Sequence, residues 1–106
     1  MMEGTPALSQ TERARYEEAK KFLRERGIAS DPKTGEISRS TLLQELKRRD
    51  WDWHYRPVSK GYEVMIHRIH GESDRGVTGW IEGHTPDTAL ARALMMAIRD
   101  DEASPR

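Results

Sequence analysis

The chain contains no cysteine, and its 106 residues carry no net charge. The absence of thiols excludes disulfides, thiolate zinc sites and cysteine nucleophiles. The 18 basic and 18 acidic residues balance, so the excess of positive charge typical of strong nucleic-acid or membrane binders is missing. No apolar run is long enough for a transmembrane helix or a secretory signal, and we therefore expect a cytoplasmic protein without membrane association.

Length and composition favour one small domain. With 35% apolar and 34% charged residues, the chain can bury only a modest core. We expect residues 11–100 to form this domain. Residues 1–10 and 101–106 are predicted to be flexible tails, because short polar termini are rarely held by packing.

The clearest structural signal is a pair of strands in the second half of the chain, at residues 61–69 and 77–82. Both segments alternate between apolar and polar residues, as half-buried strands do. A polar segment bracketed by glycines separates them and predicts a hairpin. Gly79 indicates either a β-bulge or a place where another backbone passes close by. The residues expected to point inward from the first of these strands are Tyr62, Val64 and Ile66.

A capped amphipathic helix is predicted at residues 86–98. Thr85 is suited to the N-cap position and Pro86 to the first helical position. One stripe of this helix carries only small and aliphatic residues, which would let it lie close to the sheet. The stripe consists of Ala89, Leu90, Ala93, Leu94, Ala97 and Ile98.

Two further helices and one strand are predicted in the first half. Residues 11–26 and 39–49 have apolar residues at helical spacing, and Ser38 is suited to cap the second helix. Residues 51–56 alternate between aromatic and polar residues and predict a strand that ends at a turn over residues 57–60. The predicted fold is therefore α+β, a three-stranded antiparallel sheet packed by helices, in the order α-α-β-β-β-α.

The sequence shows no catalytic constellation, and we expect a protein that is not an enzyme. No serine has the strand-to-helix context of a nucleophile elbow, and no phosphate-binding loop is present. His67 and His70 are three residues apart on a predicted strand, so their side chains would point to opposite faces, which is poor geometry for one metal ion. We therefore predict no catalytic, cofactor-binding or metal-binding residues, with His54 and His84 also on the surface.

The aromatic residues suggest a binding surface. Trp51, Trp53 and Tyr55 share one face of the first strand and are expected mainly in the core. If helices cover only one side of the sheet, some rings, above all Trp80, would lie on the open side and form a partner-binding patch or a dimer interface. The candidate partner-binding residues are Trp80, Met65, His67 and Trp53.

Seven basic residues suggest an alternative, a nucleic-acid-binding module in which the second helix and the hairpin act as in winged helix-turn-helix domains. They are Arg39, Lys47, Arg48, Arg49, Arg56, Lys60 and Arg68. The competing interpretation is that these cations solvate the surface and compensate the helix end. The two interpretations differ in whether the cations converge on one face or pair with Glu45, Asp50, Asp52 and Glu63.

The order of a helix over residues 42–49, three strands and a helix over residues 86–98 resembles a double-stranded-RNA-binding domain. The segment EGHT at residues 82–85 stands where that family turns into its last helix. This resemblance implies RNA binding. The family grips phosphate with lysines at the start of that helix, whereas this chain has PDTAL at residues 86–90.

Four segments carry a second resemblance: LLQEL at 42–46, WDW at 51–53, GYEV at 61–64 and TPDTALARAL at 85–94. Together they resemble the small phage "ABA sandwich" domains over residues 38–98. That family consists of phage or prophage proteins of undefined activity, so the resemblance implies a bacteriophage accessory protein. Our leading hypothesis is a non-enzymatic phage or bacterial accessory protein that binds another protein or a second copy of itself. A nucleic-acid-binding module and an enzyme subunit completed by a partner chain are the alternatives.

Overall fold

The computed structural model describes residues 10–68 and 78–103. They form α1 (Gln10–Glu25), α2 (Arg39–Arg48), β1 (Trp51–Val58), β2 (Gly61–Arg68), β3 (Ile81–Gly83) and α3 (Pro86–Ala103). The predicted α+β class and the order α-α-β-β-β-α are confirmed. Most of the predicted N-terminal tail, the strand residues predicted at 69 and 77, and His70 lie outside the described residues.

The helices begin at the predicted caps. Ser38 Oγ accepts a hydrogen bond from the backbone N–H of Thr41 at 3.2 Å, and Thr85 Oγ1 accepts one from Thr88 N–H at 3.1 Å. These contacts satisfy backbone donors that the first turn of a helix leaves without a partner. Pro86 is the first residue of α3, where its missing N–H has no consequence.

Three predicted boundaries are wrong. The third strand begins at Ile81, so residues 78–80, predicted to belong to it, lie outside the strand. α3 continues to Ala103 rather than ending at residue 98, so residues 101–103 are helical. β1 continues through Pro57 to Val58, although a turn was predicted to start at Pro57. Proline is compatible with this position because β1 is an edge strand, on which one side of the backbone needs no ladder hydrogen bond.

The sheet has the order β1-β2-β3, with both neighbouring pairs antiparallel. β1 and β2 form a hairpin whose turn is residues 59–60. Trp53 lies opposite Ile66 in this hairpin, and Val64 lies opposite Ile81 in the second strand pair. Because directly opposite residues of antiparallel strands point to the same side, these four side chains share one face.

The core lies between this face and α3. Val64 and Ile66 are fully buried, as predicted, while Tyr62 is half-buried. The predicted stripe of α3 is also confirmed, because Ala89, Leu90, Ala93, Leu94, Ala97 and Ile98 all have no exposed surface. Leu23 of α1 and Leu42 of α2 complete the cluster. No described helix is both long and apolar enough to cross a bilayer.

Glycine permits close backbone contacts between β3 and α3 and between β2 and β3. A Cβ built on Gly83 would lie 2.6 Å from Ala89 Cα, and one built on Gly61 would lie 2.5 Å from the carbonyl oxygen of Gly83. At Gly79, by contrast, no atom of the described residues lies within 4 Å of such a Cβ, so within the described part of the chain no backbone approaches Gly79 closely.

The other alternative for Gly79, a β-bulge, agrees with the hydrogen bonds around it. The N–H of Thr78 donates to the carbonyl of Ile66 at 2.9 Å, whereas Ile81 lies opposite Val64. Between these two paired positions the returning chain advances by three residues, from 78 to 81, whereas β2 advances by two, from 66 to 64. One additional residue on one strand is the defining property of a bulge.

A buried lysine connects α1 to the segment before α2. The Lys20 side chain is 4% exposed, and its Nζ lies 2.6 Å from Glu36 and 2.9 Å from Glu17. Burial alone lowers the pKa of Lys20, but the hydrogen bonds to Glu36 and Glu17 and the negative charges of these two residues together raise this pKa by more. Hydrogen bonds from Lys20 and then from Tyr16 lower the pKa of the Glu36 carboxyl. The pair is therefore fully ionised at neutral pH, which keeps the buried ammonium compensated.

Candidate functional site: the open face of the sheet

One side of the sheet is open in the described part of the chain. Its β1 and β2 residues alternate with those that face the core, and we call this side the open face. It is formed by Asp52, His54 and Arg56 of β1 together with Glu63, Met65 and His67 of β2. The β1 residues among them are all exposed and the β2 residues are half-buried, whereas Val64 and Ile66 on the other side are fully buried. This difference shows which side the helices cover.

Trp80 lies across the open face. The guanidinium of Arg56 is 4.0 Å from the centroid of the Trp80 ring, a cation–π distance, and its Nε donates to Glu63 Oε1 at 2.9 Å. Trp80 keeps 36% of its surface exposed. A large aromatic ring is thus held at the surface by a cation that is itself held by a carboxylate.

Two histidines meet on the same face. The rings of His54 and His67 are stacked, with centroids 4.7 Å apart and planes 8° from parallel, and their Nε2 atoms are 2.8 Å apart. Asp52 lies directly opposite His67 in the hairpin. Each of the three side chains offers one atom that can bind a metal ion, and these three atoms lie within 4.8 Å of one another.

This cluster was not predicted from the sequence. The prediction for His67 rested on His70 of the same strand, whereas its neighbour in the structure, His54, belongs to the adjacent strand. His54 lies opposite Met65. The next residue along the same face of β1 is Asp52, and it lies opposite His67. The signal that could have revealed the cluster is the location of the hairpin turn, which decides which residues lie across from each other.

Three of the four predicted partner-binding residues share the open face, and the fourth does not. Trp80, Met65 and His67 lie on this side. Trp53 lies on the opposite side because its partner in the register is Ile66, and it packs half-buried against the core. Trp53 therefore cannot belong to the same patch. Its ring stacks instead on that of Tyr55, with centroids 5.2 Å apart.

Tyr55 also differs from the expectation that the rings of β1 lie mainly in the core. Trp51 is buried, but 53% of Tyr55 is exposed. Tyr55 is on the covered side of the sheet, opposite Val64, yet the described helices leave its ring accessible. Its only described aromatic neighbours are Trp53 and Tyr62, the latter with a centroid 6.3 Å away.

The seven candidate nucleic-acid-binding cations do not form one basic surface. Five of them are in ion pairs: Arg39 with Asp87, Arg48 and Arg49 with Glu45, Arg56 with Glu63, and Arg68 with Asp101. Arg56 and Arg68 lie on opposite sides of the sheet. They are also separated by five positions along β2, because Arg56 lies opposite Glu63, a distance of about 17 Å. Lys47 and Lys60 are exposed at the end of α2 and in the hairpin turn.

A groove adjoins the open face at the β3 edge. It has a volume of about 690 Å³ and lies between α1, α3 and the sheet. Trp80 and Glu63 belong to both the groove and the open face, and Met96, which is 41% exposed, adds apolar surface. Burial, followed by the nearby Arg15, lowers the pKa of Arg92 in this groove. The groove thus extends the open face around Trp80.

Both family resemblances stay predictions. Comparison of the chain with protein-family models, with curated proteins and with solved structures gave no match. The binding properties of this protein must therefore be inferred from its own residues, and the open face with its adjoining groove is the surface on which exposed aromatic, charged and metal-ligating side chains meet.

Proposed function

We propose that this chain is a non-enzymatic binding protein that contacts a partner protein through the open face and the adjoining groove. One observation carries the proposal. Trp80 is a large exposed ring held by Arg56 on a sheet face that no described helix covers. Tryptophan, tyrosine and arginine are the residue types most enriched among the residues that dominate binding energy at protein interfaces, and methionine is enriched at interfaces in general.

The arrangement of Trp80 supports binding in a second way. Arg56 is held between the Trp80 ring and the Glu63 carboxylate, so both long side chains are already ordered before a partner arrives. Immobilising a flexible side chain on binding costs roughly 0.5–1.5 kcal/mol. A pre-ordered cluster avoids part of this cost, which favours specific contact with a protein surface.

The charge distribution supports a protein partner over a nucleic acid. A phosphate backbone is bound by cations that are free to neutralise it. Here Arg48 and Arg49 would have to leave Glu45, and Arg56 would have to leave Glu63, before they could contact phosphate. A phage or bacterial accessory protein remains the setting we propose, on the basis of the resemblance in residues 38–98.

The experiment first captures the partner and then compares two exposed aromatic residues on opposite sides of the sheet. A photo-reactive amino acid placed at position 65 of the open face should capture the partner, and the same group at Lys21, an exposed residue of α1, should not. The captured protein is then purified and its affinity measured. Trp80→Ala should weaken this affinity by 2 kcal/mol or about 30-fold, an effect typical of an interface hot spot. Tyr55→Ala, the matched control, should leave it unchanged.

Light scattering over a concentration series tests whether the partner is a second copy of this chain. A dimer that dissociates in Trp80→Ala but not in Tyr55→Ala would support the proposal, and the partner would then be a second copy of this chain. The proposal is refuted if neither the affinity for a purified partner nor the formation of a dimer depends on Trp80. Binding to DNA or RNA that weakens steeply with salt would replace it with the nucleic-acid alternative.

A further inference from the structure

The strongest unassigned chemical group on the molecule is the cluster of Asp52, His54 and His67. These side chains come from two neighbouring strands, and the sheet fixes their backbones relative to each other. Two of them are exposed and His67 is half-buried, so an ion from solvent can reach the cluster. The backbones that carry the three side chains are therefore positioned before a ligand binds.

The donor atoms select a class of metal. Two imidazole nitrogens and one carboxylate oxygen suit Zn²⁺, Ni²⁺ and Cu²⁺, whereas Mg²⁺ and Ca²⁺ prefer sites made of oxygen alone. Two histidine nitrogens bound to tetrahedral zinc are about 3.3 Å apart, since each lies about 2.0–2.1 Å from the metal. The two Nε2 atoms are 2.8 Å apart, so to bind one ion the rings would have to separate by about half an ångström and turn until both Nε2 lone pairs point at it.

The surrounding hydrogen bonds orient the donors as in known metal sites. His67 Nδ1–H donates to the backbone carbonyl of Arg68 at 3.0 Å, and since a carbonyl can only accept, Nδ1 carries the proton. In the neutral ring the lone pair is then on Nε2, which faces His54. Asp52 Oδ1 accepts the N–H of Trp53 at 2.8 Å, which orients the carboxylate. Metal-binding histidines usually have such a partner on the second ring nitrogen, and it fixes the tautomer.

The metal-free state has a proton where the metal would bind. Because His67 Nε2 carries the lone pair, His54 Nε2–H must donate the hydrogen bond between the two rings. Metal binding requires His54 to present a lone pair on Nε2 as well, so its ring must carry the proton on Nδ1 instead. Arg56, two residues from His54 on the same face, is paired with Glu63, so its charge is partly compensated and opposes an incoming ion less.

We propose that Asp52, His54 and His67 bind one divalent ion of the Zn²⁺, Ni²⁺ and Cu²⁺ class, with water in the remaining coordination positions. This site is independent of the proposed partner protein. It stands on the geometry of the β1–β2 hairpin alone, and the purified chain is sufficient to test it.

Calorimetric titration of the full chain with ZnCl₂ in a buffer that does not bind metals tests the proposal. We expect one Zn²⁺ per chain, and no binding of Mg²⁺ at the same concentration. His54→Gln and His67→Gln should each weaken the affinity for Zn²⁺ at least about tenfold, and Asp52→Asn should weaken it less. His84→Gln is the matched control because His84 is the remaining described histidine and lies outside the cluster; it should bind Zn²⁺ as the natural chain does.

A second measurement covers the case in which a substitution unfolds the chain. In the unsubstituted protein, Zn²⁺ should shift the imidazole nitrogen NMR signals of His54 and His67 and leave those of His84 in place. The proposal is overturned if Zn²⁺ does not bind, if it binds equally well to folded His54→Gln and His67→Gln proteins, or if the shifts occur at His84 instead. A failure of partner binding would leave all these results unaffected, so the two proposals fail separately.

Discussion

A single methyl group added at Gly83 should strongly destabilise the fold. In Gly83→Ala the new Cβ would lie 2.6 Å from Ala89 Cα and 2.8 Å from Ala89 Cβ, and closer still to Ala89 N. Carbon atoms in contact prefer about 3.5–4.0 Å, so β3 and the first turns of α3 would have to separate by about 1 Å. Ala89 is fully buried, and the atoms that the new Cβ would meet are its backbone atoms and its Cβ. These atoms are fixed by the helix and cannot rotate away as a flexible side chain could.

The expected magnitude follows from this geometry. Overpacking a core typically costs about 1–3 kcal/mol, and a clash with backbone atoms places Gly83→Ala near about 3 kcal/mol. For a domain of this size, such a loss lowers the melting temperature by about 12–24 °C. Urea denaturation followed by circular dichroism, with a thermal melt of the same samples, measures both quantities.

Gly79→Ala provides the matched control, since a Cβ at Gly79 would meet no atom of the described residues within 4 Å. This change should leave stability within about 0.5 kcal/mol, or raise it by up to about 1 kcal/mol because alanine restricts the unfolded chain. If Gly83→Ala were as stable as the natural chain, or if both variants lost equal stability, the close contact between β3 and α3 would be refuted.

Three further predictions test the packing and the charges. Ala93→Leu should lower the free energy of unfolding by about 1–3 kcal/mol because Ala93 is fully buried, whereas Ala14→Leu on the exposed side of α1 should be nearly neutral in the same urea titration. Because Lys20 and Tyr16 lower the folded pKa of Glu36 below its unfolded value of about 4.3, Glu36 stabilises the fold above that pH and loses this effect as the pH falls through the folded pKa. Acid titrations should therefore show a smaller loss of stability on going from pH 6 to pH 3 in Glu36→Gln than in the natural chain, and equal losses would contradict the assignment. Arg39→Ala should change stability by no more than about 1 kcal/mol, since Arg39 and Asp87 are both nearly half exposed; a larger loss in a melt would contradict this view of their ion pair.

The element order was predictable because each element has a periodic apolar pattern and its own local signals. Thr85 and Pro86 marked the start of α3, and the alanine and leucine stripe marked the side that is buried. These signals depend on neighbours in the sequence, so the sequence alone contains them.

The end of α3 was not predictable in the same way. The carboxylates at residues 100–102 are unfavourable at the negative end of the helix dipole, which argued for a tail. In the structure Glu102 accepts hydrogen bonds from Arg26 at 2.7 and 2.9 Å, and Asp101 lies 3.6 Å from Arg68. These partners are distant in sequence, 76 residues away in the case of Arg26, so a rule based on the local helix cannot detect them.

The hairpin predicted from the sequence would not have brought the candidate metal site together, because its register differs from the observed one by two residues. A turn at residues 57–60 would place position 56 opposite position 61 and His54 opposite Glu63. His67 would then lie four positions along β2 from the residue opposite His54, about 13 Å away. The observed turn at residues 59–60 places His54 opposite Met65, so His67 is only two positions along β2 from the residue opposite His54.

A shift of two residues leaves every side chain on the side of the sheet that its alternation predicts, so the hydrophobic pattern cannot distinguish the two registers. Pro57 suggested the first register, and only its position on an edge strand, which depends on the complete sheet, permits the second.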